Sequence, residues 1–139
     1  MKYIDIIFLC SILFMSTSLF AGEKQYKAFT DIGNLNRSNI TIEEVVSSPN
    51  KFHKEVIIVD GEISKIEYKT FINGKKFTLF KLMDSQRNNI KVYARGFVDG
   101  ISEGSKIRIQ GRYSKYKKYF FKKYKNVMKA KMIHILSTS

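Results

Sequence analysis

The sequence predicts an all-β fold, a small antiparallel barrel of five strands preceded by one short N-terminal helix. Three observations carry that prediction. Segments rich in β-branched residues with period-two alternation recur from Val56 to Leu136. No helical pattern of useful length separates them. Glycines, Asn73-Gly74 among them, punctuate the series as turns and bends. The 139 residues and 16.2 kDa are enough for one domain, and 44% hydrophobic content is enough for a core. That balance excludes a collagen-like chain, a disulfide scaffold, a fully disordered chain and a large multi-domain enzyme.

The first segment stands apart. Residues 1–21 have a basic start at Lys2, an apolar run over Ile6–Phe20 and then Ala21-Gly22. This is the layout of a secretory signal peptide with cleavage after Ala21, so the chain is expected to be exported, periplasmic or secreted. An uncleaved anchor is the rival reading, although the run is shorter than the ~20 residues a spanning helix prefers. Cys10 lies inside this segment and is the only cysteine. The mature chain is therefore expected to have no thiol chemistry, no Cys-based metal site and no disulfide. Residues 22–40 are polar and mixed, and read as a linker or loosely attached N-terminal arm before a domain over 41–139.

Within that domain, Thr41 followed by Glu44 is a capping box, predicting a short helix over 42–48 that Pro49 stops. Val56–Tyr68 is the first strand, with Ile57, Val59, Gly61 and Ile63 on one face and Asp60 and Glu62 on the other. Asn73-Gly74 marks the turn to a second strand over Lys75–Asp84. After a polar loop, Ile90–Arg95 is the third strand, with Ile90, Val92 and Ala94 facing one way and Lys91, Tyr93 and Arg95 the other. Residues 96–104 are too short for a full helix and predict a single turn ending at Glu103-Gly104. The fourth strand starts at Lys106, with Ile107, Ile109 and Gly111 inward and Arg108, Gln110 and Arg112 outward. Residues 113–126, high in strand propensity, predict an extended hairpin leading to a fifth strand over Val127–Leu136. Gly61 and Gly111 interrupt β-rich runs where a small barrel must bend its strands.

The blocks VIIVDGEISKI (56–66), FTLFKLMDSQRNNIKVYARG (77–96), ISEGSKIRIQGRY (101–113) and AKMIHI (130–135) together resemble an OB-fold domain. The resemblance is to bacterial nucleic-acid-binding and anticodon-binding-like OB-folds and to small exported OB-fold proteins linked to stress tolerance. It spans about Thr41–Leu136. It implies a five-stranded Greek-key barrel with a ligand face on strands two and three and on the loops after strands one and four. The Lys/Tyr-rich segment between the last two strands departs from the exported relatives.

Charge points the same way. The net charge is +13, with Lys plus Arg at 25 and Asp plus Glu at 12. From Gly104 to Ser139 there are 11 basic residues and no acidic one, whereas residues 22–103 carry 13 basic and 11 acidic. A field of that kind attracts polyanions. An AT-rich genome would also raise Lys content, but would not by itself empty the last 36 residues of acids.

Two sets of residues are candidates. On strand three, Tyr93 offers a ring for a base to stack on, and Lys91 and Arg95 flank it to meet phosphate. An exposed strand face that merely alternates is the plain alternative. Between strands four and five, Lys115, Tyr116, Lys117, Lys118, Tyr119, Phe120, Phe121, Lys122, Lys123, Tyr124 and Lys125 interleave cations with rings, as a sequence-tolerant polyanion binder requires. The same composition suits an anionic membrane surface, or a hairpin whose rings fold back on the barrel. Arg108 and Arg112 on strand four extend the basic set. Asp84 reads as a turn-fixing carboxylate. Asp60 and Glu62 read as a solvated face, and His53 and His134 as isolated packing or surface residues. No Gly-x-Ser-x-Gly, phosphate loop or His-Glu-x-x-His occurs. The expected function is binding without catalysis and without a cofactor. The expected partner is single-stranded nucleic acid or another linear polyanion. The runner-up is an envelope-associated or stress-related module contacting anionic lipid, cell-wall polymer or a partner protein.

Overall fold

The computed structural model describes residues 29–35, 40–119 and 122–138. The expected export segment, and part of the expected arm, lie outside them. In chain order the elements are α1 (Ile42–Ser47), α2 (Pro49–Phe52), β1 (Val56–Thr70), β2 (Lys76–Met83), β3 (Asn89–Arg95), β4 (Lys106–Tyr119) and β5 (Lys122–Ser137).

The strands close into a barrel in the order β1-β2-β3-β5-β4. Neighbours are antiparallel except β3 and β5, which run parallel over Lys91–Tyr93 and Val127–Lys129. This is the five-stranded Greek-key arrangement of the OB-fold. Closure depends on β1 serving two partners. Its first half pairs with β4 and its second half with β2, and Glu62 is paired on both sides. Gly61 sits at that changeover. A Cβ there would lie 2.6 Å from Leu82 Cγ and 2.9 Å from the Met83 carbonyl oxygen. Glycine is needed at this bend because two strands approach within the space of a missing methyl.

Alternation fills the interior as the sequence predicts. Ile57, Val59, Ile63, Ile90, Val92, Ala94, Ile107 and Ile109 are all buried. Thr78 joins them as a satisfied polar group. Its hydroxyl donates to the Gly96 carbonyl at 2.8 Å and accepts from the Val98 amide at 3.0 Å. That pair ties the β3–β4 connection to β2. The connection has no helix and closes in the expected turn, where Ser105 N–H donates to the Ser102 carbonyl at 3.0 Å and Gly104 takes φ +92°.

α1 plugs the barrel. Ile42 and Val45 are buried, and burying each contributes about 1.5–3 kcal/mol. Thr41 caps it, its Oγ1 accepting from Glu44 N–H at 3.1 Å. One expectation is corrected here. The first helix does stop ahead of Pro49, at Ser47, but Pro49 then opens α2 as its first residue, so there are two short helices where one was expected. Proline has no N–H to lose at a first helical position, and its fixed φ suits that position. α2 packs on β4 and buries Phe52.

Residues 29–35, expected to be loosely attached, are docked along β5. Ile133 N–H donates to the Asp31 carbonyl at 3.0 Å, and Gly33 N–H donates back to the Ile133 carbonyl at 3.0 Å. Leu35 N–H donates to His134 Nδ1 at 3.2 Å. β3 pairs with β5 only over three residues, so this segment occupies a stretch of β5 that would otherwise be an open edge.

Candidate functional site

The site is built from the outward positions of three adjacent strands. On β2, Thr78, Phe80 and Leu82 point into the barrel and are buried. Phe77, Leu79 and Lys81 therefore point outward. Register then sets their neighbours. Phe77 lies between Lys69 and Arg95, Leu79 lies between Glu67 and Tyr93, and Lys81 lies opposite Lys91. Successive rows across the sheet are thus cation–ring–cation, acid–aliphatic–ring, and cation–cation. Rows two residues apart are spaced by about 6.7 Å along the strands.

A cleft of about 330 Å³ opens over this floor. Lys65 and Phe71 contribute from β1 and its turn, and Tyr124 and Val127 from β5. Phe71 packs on Phe77 with ring centroids 5.0 Å apart. The turn that places Phe71 is closed by Gly74, whose amide donates to the Phe71 carbonyl at 2.8 Å and whose φ is +84°.

The electrostatics of the floor are unfavourable for the isolated protein. Lys81 and Lys91 are directly opposite across β2 and β3, and like charges so placed are destabilising. Partial burial lowers the Lys91 pKa below the usual lysine value, and the charges of Lys81 and Lys122 lower it further. The acid that lines the cleft, Glu67, pairs instead with Lys69, its Oε2 lying 3.4 Å from Lys69 Nζ in an exposed pair. Such a pair contributes at most about 1 kcal/mol.

The two predicted sets of site residues are brought together only in part. β4 and β5 continue past the barrel as a hairpin arm, with Tyr116 opposite Lys125, Lys117 opposite Tyr124, Lys118 opposite Lys123 and Tyr119 opposite Lys122. Alternation places Lys117, Tyr124 and Lys122 on one face of the arm, and Tyr116, Lys118, Lys123 and Lys125 on the other. Phe120, Phe121 and the side chain of Tyr119 lie outside the described residues. The first face meets the cleft, whereas Lys123 Nζ lies 4.1 Å from the Tyr116 ring centroid on the second.

Tyr93 requires a correction. It points outward as the alternation predicts, but it is only 5% exposed and is no open stacking platform. The arm folds over it. Lys117 Nζ donates to the Tyr93 hydroxyl at 3.0 Å and lies 5.4 Å from its ring centroid. Arg95 is exposed at the end of its row.

Three other predicted cations are committed elsewhere. Arg108 grips Asp60 through two hydrogen bonds of 2.7 and 3.0 Å and donates to the Leu35 carbonyl at 3.2 Å. Asp60 is accordingly an ion-pair partner and not a merely solvated acid. Arg112 donates to the Lys54 carbonyl at 2.7 Å. Lys115 donates through its side chain to Asn50 at 2.8 Å and through its amide to His53 Nδ1 at 2.9 Å. His53 also stacks on Tyr116 at 5.9 Å, so both histidines serve packing. Asp84 fixes its loop by accepting from the Gln86 and Asn88 amides at 3.0 and 2.8 Å.

Sequence reasoning missed Lys65, Lys69, Phe71, Phe77, Leu79 and Lys81. The available signal was β2 itself, where FTLFKLM is apolar at both parities and so reads as a strand covered on both faces. Among the described residues, no group of three or more His, Cys, Asp or Glu side chains is placed to hold a metal ion, and no helix is long and apolar enough to cross a membrane.

No protein-family model and no curated protein matches this chain in sequence. Solved structures do match. An aspartyl-tRNA synthetase of Leishmania major Friedlin superposes on 90% of this chain at 14% identity with a TM-score of 0.56, and this chain covers 26% of that protein. Mitochondrial single-stranded DNA-binding protein of S. cerevisiae aligns with 61% of this chain and 97% of its own length, at 12% identity and a TM-score of 0.46. A second crystal form of that protein aligns at 14% identity with the same TM-score. At this identity the synthetase match speaks to architecture alone, and with the strand order above the chain is an OB-fold barrel.

Proposed function

We propose that this chain binds single-stranded nucleic acid, without catalysis, in the cleft over β1, β2 and β3. The observation that carries this reading is the Lys81–Lys91 pair, with Lys122 nearby, set beside a half-buried apolar floor. A fold has no structural use for lysines that repel one another across a sheet, whereas a phosphate between them turns the repulsion into attraction. Phe71, Phe77 and Tyr124 supply ring surface for bases, and Lys65 and Lys69 supply further phosphate contacts. The cleft lies on the strand-two and strand-three face and beside the connections that OB-folds use for oligonucleotides. The apolar run over Ile6–Phe20 supports an exported location for this binding.

Fluorescence anisotropy of a labelled thymine oligonucleotide with the full chain, over a series of salt concentrations, tests the reading. Affinity is expected to fall steeply and log-linearly with salt, and Lys81→Gln is expected to reduce the slope by about 1. Absence of binding at low salt would end the proposal. One feature favours contact with anionic lipid as a second reading: Ile72, fully exposed at the β1–β2 tip near Lys75. Sedimentation with anionic liposomes separates the two, because the cleft reading requires no lipid.

A further inference from the structure

Glu67 is the one carboxylate among the described residues that line the cleft, where Lys65, Lys69, Lys81 and Lys91 also stand. It lies in the middle row, in register with Leu79 and through it with Tyr93, and the rows on either side are cationic. A phosphate cannot rest on a carboxylate, so a strand bound here keeps its backbone on the lysine rows. The middle row then receives a base: Leu79 offers apolar contact, and Glu67 offers two acceptor oxygens at its edge. The pair between Glu67 and Lys69 is exposed, and such pairs are readily exchanged for other partners.

The base that suits a carboxylate is set by its hydrogen-bonding edge. Guanine presents N1–H and N2–H side by side on its Watson–Crick edge, which a carboxylate accepts in bidentate form. Adenine and cytosine each place a ring-nitrogen acceptor beside their amino group. Thymine flanks its single N3–H with two carbonyl oxygens. For these three, one carboxylate oxygen would face another acceptor. Resting on the nucleic-acid reading above, we infer that Glu67 is a specificity-determining residue that makes this cleft prefer guanine within single strands.

The test uses the full chain and thymine oligonucleotides carrying one central guanine, inosine, adenine or cytosine, with anisotropy as the readout. The guanine strand is expected to bind about tenfold more tightly than the adenine strand. Inosine, which lacks the 2-amino group, is expected to fall between them. Glu67→Gln is expected to abolish the preference while strengthening binding of the all-thymine strand, because it removes a negative charge from the cleft. Equal binding of all four strands by the unaltered chain, or a guanine preference that survives in Glu67→Gln, would overturn the inference. Salt-dependent binding of the all-thymine strand is the control. Its presence with equal affinities refutes the guanine preference alone, and its absence refutes the nucleic-acid reading and the preference together. A thermal melt of the variant confirms its fold.

Discussion

Lys91 is a residue whose charge opposes its own fold. Its pKa is lowered by burial first and by Lys81 and Lys122 next, so the native state holds this proton less well than the unfolded chain. The unfolded state therefore binds more protons between the lowered native value and the ordinary lysine value, and the contribution to stability rises with pH across that window. Below the window Lys91 is a net cost. Lys91→Met is accordingly expected to leave stability unchanged or to raise it by about 0.2–1 kcal/mol at neutral pH. That difference in urea midpoints is expected to shrink as pH rises through the window. Binding should move the opposite way. Phosphate beside the lysine restores its proton, so Lys91→Met is expected to weaken oligonucleotide affinity, and the affinity of the unaltered chain is expected to fall as pH enters the same window. A variant that lost both stability and affinity would show Lys91 to be structural. Tyr93, two residues along β3 in the next outward row, illustrates the limit of alternation. Period two correctly put its ring outside the barrel, but could not tell that Lys117 covers it.

At the scale of elements, the β4–β5 arm and the glycine beneath it decide the shape of the cleft. A register shift between Gln110 and Gly111 bends the β4–β5 pair within the barrel wall, just before β4 ends its pairing with β1 at Arg112. A Cβ at Gly111 would meet the Lys129 carbonyl oxygen, and would lie 2.7 Å from Met128 Cγ. Gly111→Ala must push a backbone carbonyl aside and is expected to destabilise by about 1–3 kcal/mol. Chemical denaturation measures that directly; a neutral result would mean the strands can separate at no cost. Tyr113, buried where the arm begins, anchors it by donating its hydroxyl to Asn126 Oδ1, and burial raises its pKa. The strands, their inward residues, the capping box and the Glu103-Gly104 turn were all legible in the sequence, because each is written in local spacing. The docking of residues 29–35 on β5 and the restart of helix at Pro49 were not. Both depend on partners distant in the chain, namely Ile133 for the arm and β4 for α2.

At the scale of the whole molecule, the +13 charge and the cleft do different work. The excess of cations after Gly104 acts at long range and raises encounter rates with polyanions. In the proposed nucleic-acid complex, direct contact falls mainly to lysines on β1, β2 and β3, in the part of the chain where acids and bases nearly balance. Association rates measured by stopped flow are therefore expected to drop as salt rises for Lys118→Gln/Lys123→Gln as well, but from a lower starting value, while its dissociation rate stays unchanged. A faster dissociation rate would place the outer face of the arm in direct contact with ligand. By itself the sequence determined a closed β-barrel with one basic end, since alternation, glycine positions and charge counts are local or additive properties. Which cations meet is fixed by the folded arrangement. Register across β1, β2 and β3 set Lys81 against Lys91 and Glu67 beside Leu79, and the folded arm turned Tyr93 from a surface into a wall. Those are relations between residues far apart in the chain, and pairing energy summed over whole strands selects them, not any spacing along one segment.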